Sequence, residues 1–126
     1  MTVRRALAAV ASAAIVLSAF AATPANAEGP PPTVALAPRS GRAGRQVTIT
    51  GSGFTPGDLL RVRYVTGLAS PERVTLCKVL AGPGGTLACK PRIPIDDAGP
   101  IGRHHVTVVD VTHPLAAHAV AIFRLR

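Results

Sequence analysis

The chain has 126 residues, and 14 Lys and Arg against 6 Asp and Glu give a formal charge of +8. A hydrophobic share of 48%, with two Cys and no Gly-x-y repeat, excludes a wholly disordered chain, a four-thiolate zinc site and a collagen. The length suits one domain and is short for an enzyme built around a cofactor-binding domain.

Arg4 and Arg5 begin a short basic stretch, residues 6–22 are apolar apart from Ser12 and Ser18, and Ala25-Asn26-Ala27 places small residues where a signal peptidase reads. This three-part layout predicts a secretory signal peptide over residues 1–27, cut between Ala27 and Glu28. No later apolar stretch is long enough to cross a bilayer, so the expected product has no membrane span and lies outside the cytoplasm. From Glu28 onward, twelve basic residues stand against six acidic ones, and ten of the twelve are Arg.

Residues 28–32 read as a Pro-rich lead-in, held extended and solvated by Pro30, Pro31 and Pro32. Residues 33–126 read as the folded domain. It breaks into seven short runs: 34–36, 46–51, 60–64, 74–80, 86–93, 104–111 and 117–125. Turn chemistry separates them, including Gly41 and Gly44, Pro56-Gly57-Asp58, and Gly82-Pro83-Gly84-Gly85. Val47 and Ile49 alternate with Thr48 and Thr50, and Leu60, Val62 and Tyr64 with Arg61 and Arg63. That period of two, the β-branched content and a spacing of roughly 8–12 residues predict an all-β, immunoglobulin-like, seven-stranded antiparallel β-sandwich.

The cysteines are placed by counting back from the Gly82-Gly85 loop. Ala81 then faces Gly85, Val79 faces Leu87, and Cys77 faces Cys89. A disulfide across a hairpin is expected, on the core side with Val79, Leu87 and Ile93. Export to an oxidising compartment favours it; the alternative is two free, buried thiols.

No reactive constellation emerges. Ser40, Ser52 and Ser70 lack a Gly-x-Ser-x-Gly elbow, and Asp96-Asp97 are neighbours in a loop, where side chains diverge. His104 and His105 point to opposite faces of a strand, and His113 and His118 flank the last turn with no third ligand in view. The expectation is no catalytic residue, no metal site and no cofactor, hence no enzyme.

The basic residues offer a sharper possibility. If the third, sixth and seventh runs share a sheet, Arg61, Arg63, His105, Thr107, Ile122, Arg124 and Arg126 face outward together. Arg61, Arg63, His105, Arg124 and Arg126 then form a candidate contact face for an anionic cell-envelope polymer or a protein partner. The competing reading is a solubilising face. Nucleic acid is not expected, because Phe54 and Phe123 are needed in the core and Tyr64 alternates inward, leaving no aromatic platform.

Ser40-Gly41, Gly44, Val47-Thr48-Ile49-Thr50-Gly51-Ser52-Gly53-Phe54 and Pro56-Gly57-Asp58 together resemble the opening of bacterial immunoglobulin-like domains of the IPT/TIG type. Gly84-Gly85-Thr86-Leu87, Ile93-Pro94 and the alternation His104, Val106, Val108 extend the likeness. It implies a sandwich that serves as a spacer, adhesin module or appendage. More distantly, Leu87-Ala88-Cys89-Lys90-Pro91 with Cys77 before it is similar to the neocarzinostatin-like secreted apoproteins, although that family's second disulfide loop is absent. This second resemblance implies a related sandwich that carries an enediyne chromophore in a cleft.

Overall fold

The computed structural model describes residues 30–126, so the expected leader and its cut after Ala27 lie outside the described residues. The strands in chain order are β1 (Thr33–Ala37), β2 (Ser40–Gly41), β3 (Thr48–Ser52), β4 (Leu59–Val65), β5 (Arg73–Leu80), β6 (Leu87–Cys89), β7 (Gly102–Asp110) and β8 (Ala119–Leu125). They form two sheets, β1-β3-β6 and β2-β8-β7-β4-β5. The protein is an all-β sandwich, and the described residues include no helix.

The alternation in the sequence explains the core. In β4, Leu60, Val62 and Tyr64 point inward and are fully buried; in β7, Val106 and Val108 do the same. Phe123 and Leu125 of β8 meet them from the same sheet, and Leu36, Val47, Ile49, Leu87 and Ile93 close the core from the other layer. Burying one such side chain is worth roughly 1.5–3 kcal/mol, which makes this interior the main source of stability. Where β5 passes β4, the register shifts at Val62/Arg63 and Leu76 becomes an extra residue. Val74 before that bulge, Leu76 within it, and Cys77 and Val79 after it therefore all remain half-buried.

The structure revises the expected layout in three places. An eighth strand, β2, comes from the turn segment at Gly41 and pairs with β8 in parallel, so the sandwich is not purely antiparallel. Arg124 donates its N–H to the Arg39 carbonyl and Arg126 donates to Gly41, which occupies an otherwise open sheet edge. The lead-in is also less solvated than expected: Pro32 is half-buried, and its backbone lies close over Gly53.

The third revision concerns the cysteines. Cys77 and Cys89 are bonded, with Cα atoms 6.8 Å apart, but no hairpin joins them. β5 pairs with β4 in the five-stranded sheet, whereas β6 pairs with β3 in the other. The disulfide thus ties one layer to the other, and Gly82-Gly85 is a crossover between layers. Hairpin-like pairing stops at the loop itself, where Gly82 donates to the Thr86 carbonyl. Gly85 then has φ +76°, and a Cβ there would collide with the Phe54 carbonyl oxygen. That tight approach turns the chain out of β5's sheet, and Phe54 holds it by donating its N–H to the Gly85 carbonyl.

Candidate functional site

The outward face of the five-stranded sheet follows from its register. Arg61 pairs with Lys78 and Val109, Arg63 with Thr75 and Thr107, and Thr107 with Val120. His105 lies opposite Ile122, and Arg103 opposite Arg124. The third, sixth and seventh expected runs, as β4, β7 and β8, therefore share one sheet. Arg61, Arg63, His105 and Arg124 all lie on its outer side, away from the core.

These residues do not form one patch. Six residues separate the level of Arg61 from that of Arg124 in the β7–β8 register, about 20 Å along the strands. Arg126 lies beyond the end of β8, beside the turn that holds Arg42 and Arg45. Two basic regions result, one around Arg61 and Arg63 and one around Arg103, Arg124 and Arg126.

Arg126 of the second region, with Arg42 and Arg45, borders a depression of about 700 Å³ at the sheet's edge, and the first region lies in a groove along the middle of the sheet. One half, about 310 Å³, is lined by Arg61, Arg63, Val109, Asp110, Val111, Pro114 and His118. The other half, about 540 Å³, is lined by Arg63, Val65, Arg73, His105, Thr107, Val109, His118 and Val120. Arg63, Val109 and His118 belong to both, so the halves are continuous. The floor is aliphatic (Val65, Val109, Val120); Arg61, Arg63 and Arg73 bring positive charge to it, beside the Thr107 hydroxyl, His105, His118 and the Asp110 carboxyl. Arg61 and Arg63 are half-buried, and the Nε–H of each is shut away from solvent with no acceptor among the described residues. A buried donor left without an acceptor costs about 1–3 kcal/mol.

One end of the groove is walled by residues 111–118, which link β7 to β8. A cluster of Asp58, Asp110 and His113 secures this segment. Asp58 lies in the turn before β4 and is fixed through its backbone: it accepts from Ala81, and its own N–H donates to Thr55. His113 Nδ1 donates to Asp58 Oδ2 at 2.6 Å, and the His113 backbone N–H donates to Asp110 Oδ1 at 2.9 Å. Val111 donates to the Leu59 carbonyl, and Leu59 donates to Thr112 Oγ1.

The two carboxyl groups are buried, and their oxygens lie within 4.8 Å of each other and of the His113 imidazole, close enough to couple their ionisation. Asp110 and His113 both bond to Asp58, and these bonds hold its carboxyl below the usual 3.8. Burial, then the Asp58 bond, raises Asp110 above that value. The hydrogen bond to Asp58 raises His113 above 6.5. At 2.6 Å, Asp58 Oδ2 and His113 Nδ1 make a short, charge-assisted hydrogen bond. His113 is thus engaged with the two aspartates.

The sequence reading missed this cluster, although a signal was present. Asp110 continues the inward alternation Val106, Val108, so a carboxylate was due on the core side. A buried carboxylate requires a partner. His104 likewise faces inward, with Nδ1 2.9 Å from the Val65 carbonyl and Nε2 2.6 Å from that of Pro100. His105 faces the groove.

No family model and no curated protein matches the chain. Among solved structures, it is similar in fold to macromomycin, with a TM-score of 0.56 and 17% identity over 75% of this chain and 99% of that one.

Proposed function

We propose that the chain is a secreted, non-catalytic carrier that holds a small amphipathic molecule bearing an anionic group. The binding site is the groove on the outer face of the five-stranded sheet. The observation behind this reading is the pairing of an aliphatic floor with two half-buried arginines that line the same groove. An anionic oxygen would bond the guanidinium groups where they line the groove, and Val65, Val109 and Val120 would cover an apolar body. The groove's volume suits a drug-sized molecule.

The fold likeness to macromomycin, of the neocarzinostatin family, supports the resemblance drawn from Cys77 and Leu87-Ala88-Cys89-Lys90-Pro91. A fold does not fix a ligand, and the cationic lining favours an anionic cargo. Secretion rests on the leader pattern of residues 1–27. Protein isolated from producing cells under native conditions is expected to carry extra mass that denaturation releases. Recovery of the bare chain, from cells and medium alike, would overturn the carrier reading.

A second reading is contact with an anionic envelope polymer through the basic end. Its support is the Arg103–Arg124 register pair, since like charges set directly opposite each other destabilise a sheet unless something gains from them. The IPT/TIG likeness belongs here and rests on its motif residues alone. Retention on envelope preparations that disappears at high salt would favour this reading.

A further inference from the structure

We infer that Asp58, Asp110 and His113 form a proton-operated latch that sets whether the wall at residues 114–118 stands closed over the groove. The inference rests on the carrier reading, because it supplies the regulation of that same site.

The geometry is that of a clasp. Pro114 and His118 wall the groove, and the wall is tethered on its β7 side. The tethers from Val111 and Thr112 go to Leu59 in β4 and involve no titrating group. His113 is the last residue held before the wall, and both of its bonds to the body of the domain end on carboxyl groups. Beyond it, Ala116 bonds only back to the His113 carbonyl, a contact that moves with the wall. Leu115, at the tip, is fully exposed. The ionisation of one cluster therefore decides how firmly the wall is held.

The closed state has His113 charged, Asp58 charged and Asp110 protonated. Asp58 is lowered, so its part of the latch is present above 3.8 and lost as pH falls through its depressed value. His113 is raised, so its part is complete below 6.5 and lost as pH rises through its elevated value. Neutral His113 can keep its N–H bond to Asp58 but loses the charge. Asp110 is raised, by burial and then by Asp58, so its part is complete below 3.8 and lost as pH rises through its elevated value, with the His113 backbone N–H bond opposing this by favouring the ionised carboxylate. The latch therefore holds in mild acid and loosens on the alkaline side.

Other charged groups nearby are Arg61 and Arg63 of β4, which line the groove with Asp110; Lys78 of β5, paired with Arg61; and His118 on the wall itself. The arginines stay charged throughout. His118 carries a second imidazole on the wall itself, so it needs its own control.

The test uses amide hydrogen exchange at residues 114–118, corrected for intrinsic pH dependence, on protein purified as the cell makes it. Chelator is present throughout. Binding of anilinonaphthalene sulfonate, an apolar anion, is followed in parallel. Exchange in the wall is expected to rise about tenfold as pH climbs through the elevated His113 value, with probe affinity falling alongside. His113→Gln, at an exposed position, should flatten both profiles. Asp110→Asn, which imitates the protonated carboxyl, should move the rise to higher pH, and His118→Asn should leave it in place. A flat exchange profile, or one unchanged by His113→Gln, overturns the latch. A profile that persists in His113→Gln but vanishes in His118→Asn also overturns it. If exchange behaves as expected while the probe binds at no pH, the latch stands and the carrier reading fails.

Discussion

Tyr64 stacks against His104, with ring centroids 4.9 Å apart and planes 19° from parallel, and its hydroxyl donates to the Ala98 carbonyl at 2.7 Å. The stack belongs to the end of the core where β4 and β7 lead into the 66–71 and 98–101 loops. Burial pushes the phenol up to about 12, well above its ordinary value of 10.0. Because the chain has one tyrosine, its titration can be read without interference. The near-ultraviolet phenolate signal is expected to have its midpoint near 12 in the folded protein. The sign follows: the native state favours neutral phenol, so this contribution is intact below pH 10 and is lost as pH rises through about 12. Tyr64→Phe should cost about 1 kcal/mol, measured by denaturant unfolding, since the Ala98 carbonyl loses its donor.

Replacing Cys77 and Cys89 together by Ser should lower stability by about 3 kcal/mol while preserving the far-ultraviolet spectrum. Each sheet keeps its own hydrogen-bond ladder without the sulfur link, so the loss falls on the union of the layers. Guanidinium unfolding of the double variant checks the magnitude. Complete loss of strand signal in water would mean that the apolar interior contributes far less than its burial implies.

Gly84 and Gly85 are adjacent but should respond in opposite ways. Gly85→Ala combines a left-handed φ with a collision against the Phe54 carbonyl and should cost about 2 kcal/mol or more. A Cβ at Gly84 meets nothing within 4 Å, so Gly84→Ala should be close to neutral. Thermal melts of the two variants provide the comparison. Equal losses would contradict the crossover described for this loop.

The two basic regions can be separated by substitution. Arg61→Ala and Arg63→Ala should each weaken binding of an apolar anion such as anilinonaphthalene sulfonate by about tenfold. Arg124→Ala with Arg126→Ala should leave that binding unchanged. A fluorescence titration decides between them, and the reverse pattern would transfer the function to the basic end.

Several of these features were legible in the residues themselves. The alternation Leu60, Val62, Tyr64 set both the strand and its buried side, and the outward placement of Arg61 and Arg63 came with it. The partner of β5 was not legible. A Gly-rich loop between two apolar runs serves a hairpin and a crossover equally well, and what separates them is the distant pairing of Ile49 with Cys89. β2 was invisible for a related reason: two residues, Ser40 and Gly41, become a strand only because β8 arrives beside them. The Asp58–His113 bond spans 55 residues, and its only trace in the sequence was the parity of Asp110.

The cross-layer sulfur link has one more implication, for how the protein would survive outside a cell. A peptidase that nicked the exposed Pro83-Gly84 tip would release no fragment, because the pieces on either side of the cut stay joined through Cys77 and Cys89. On a gel the clipped molecule would run as a single band until reductant was added, and then as two.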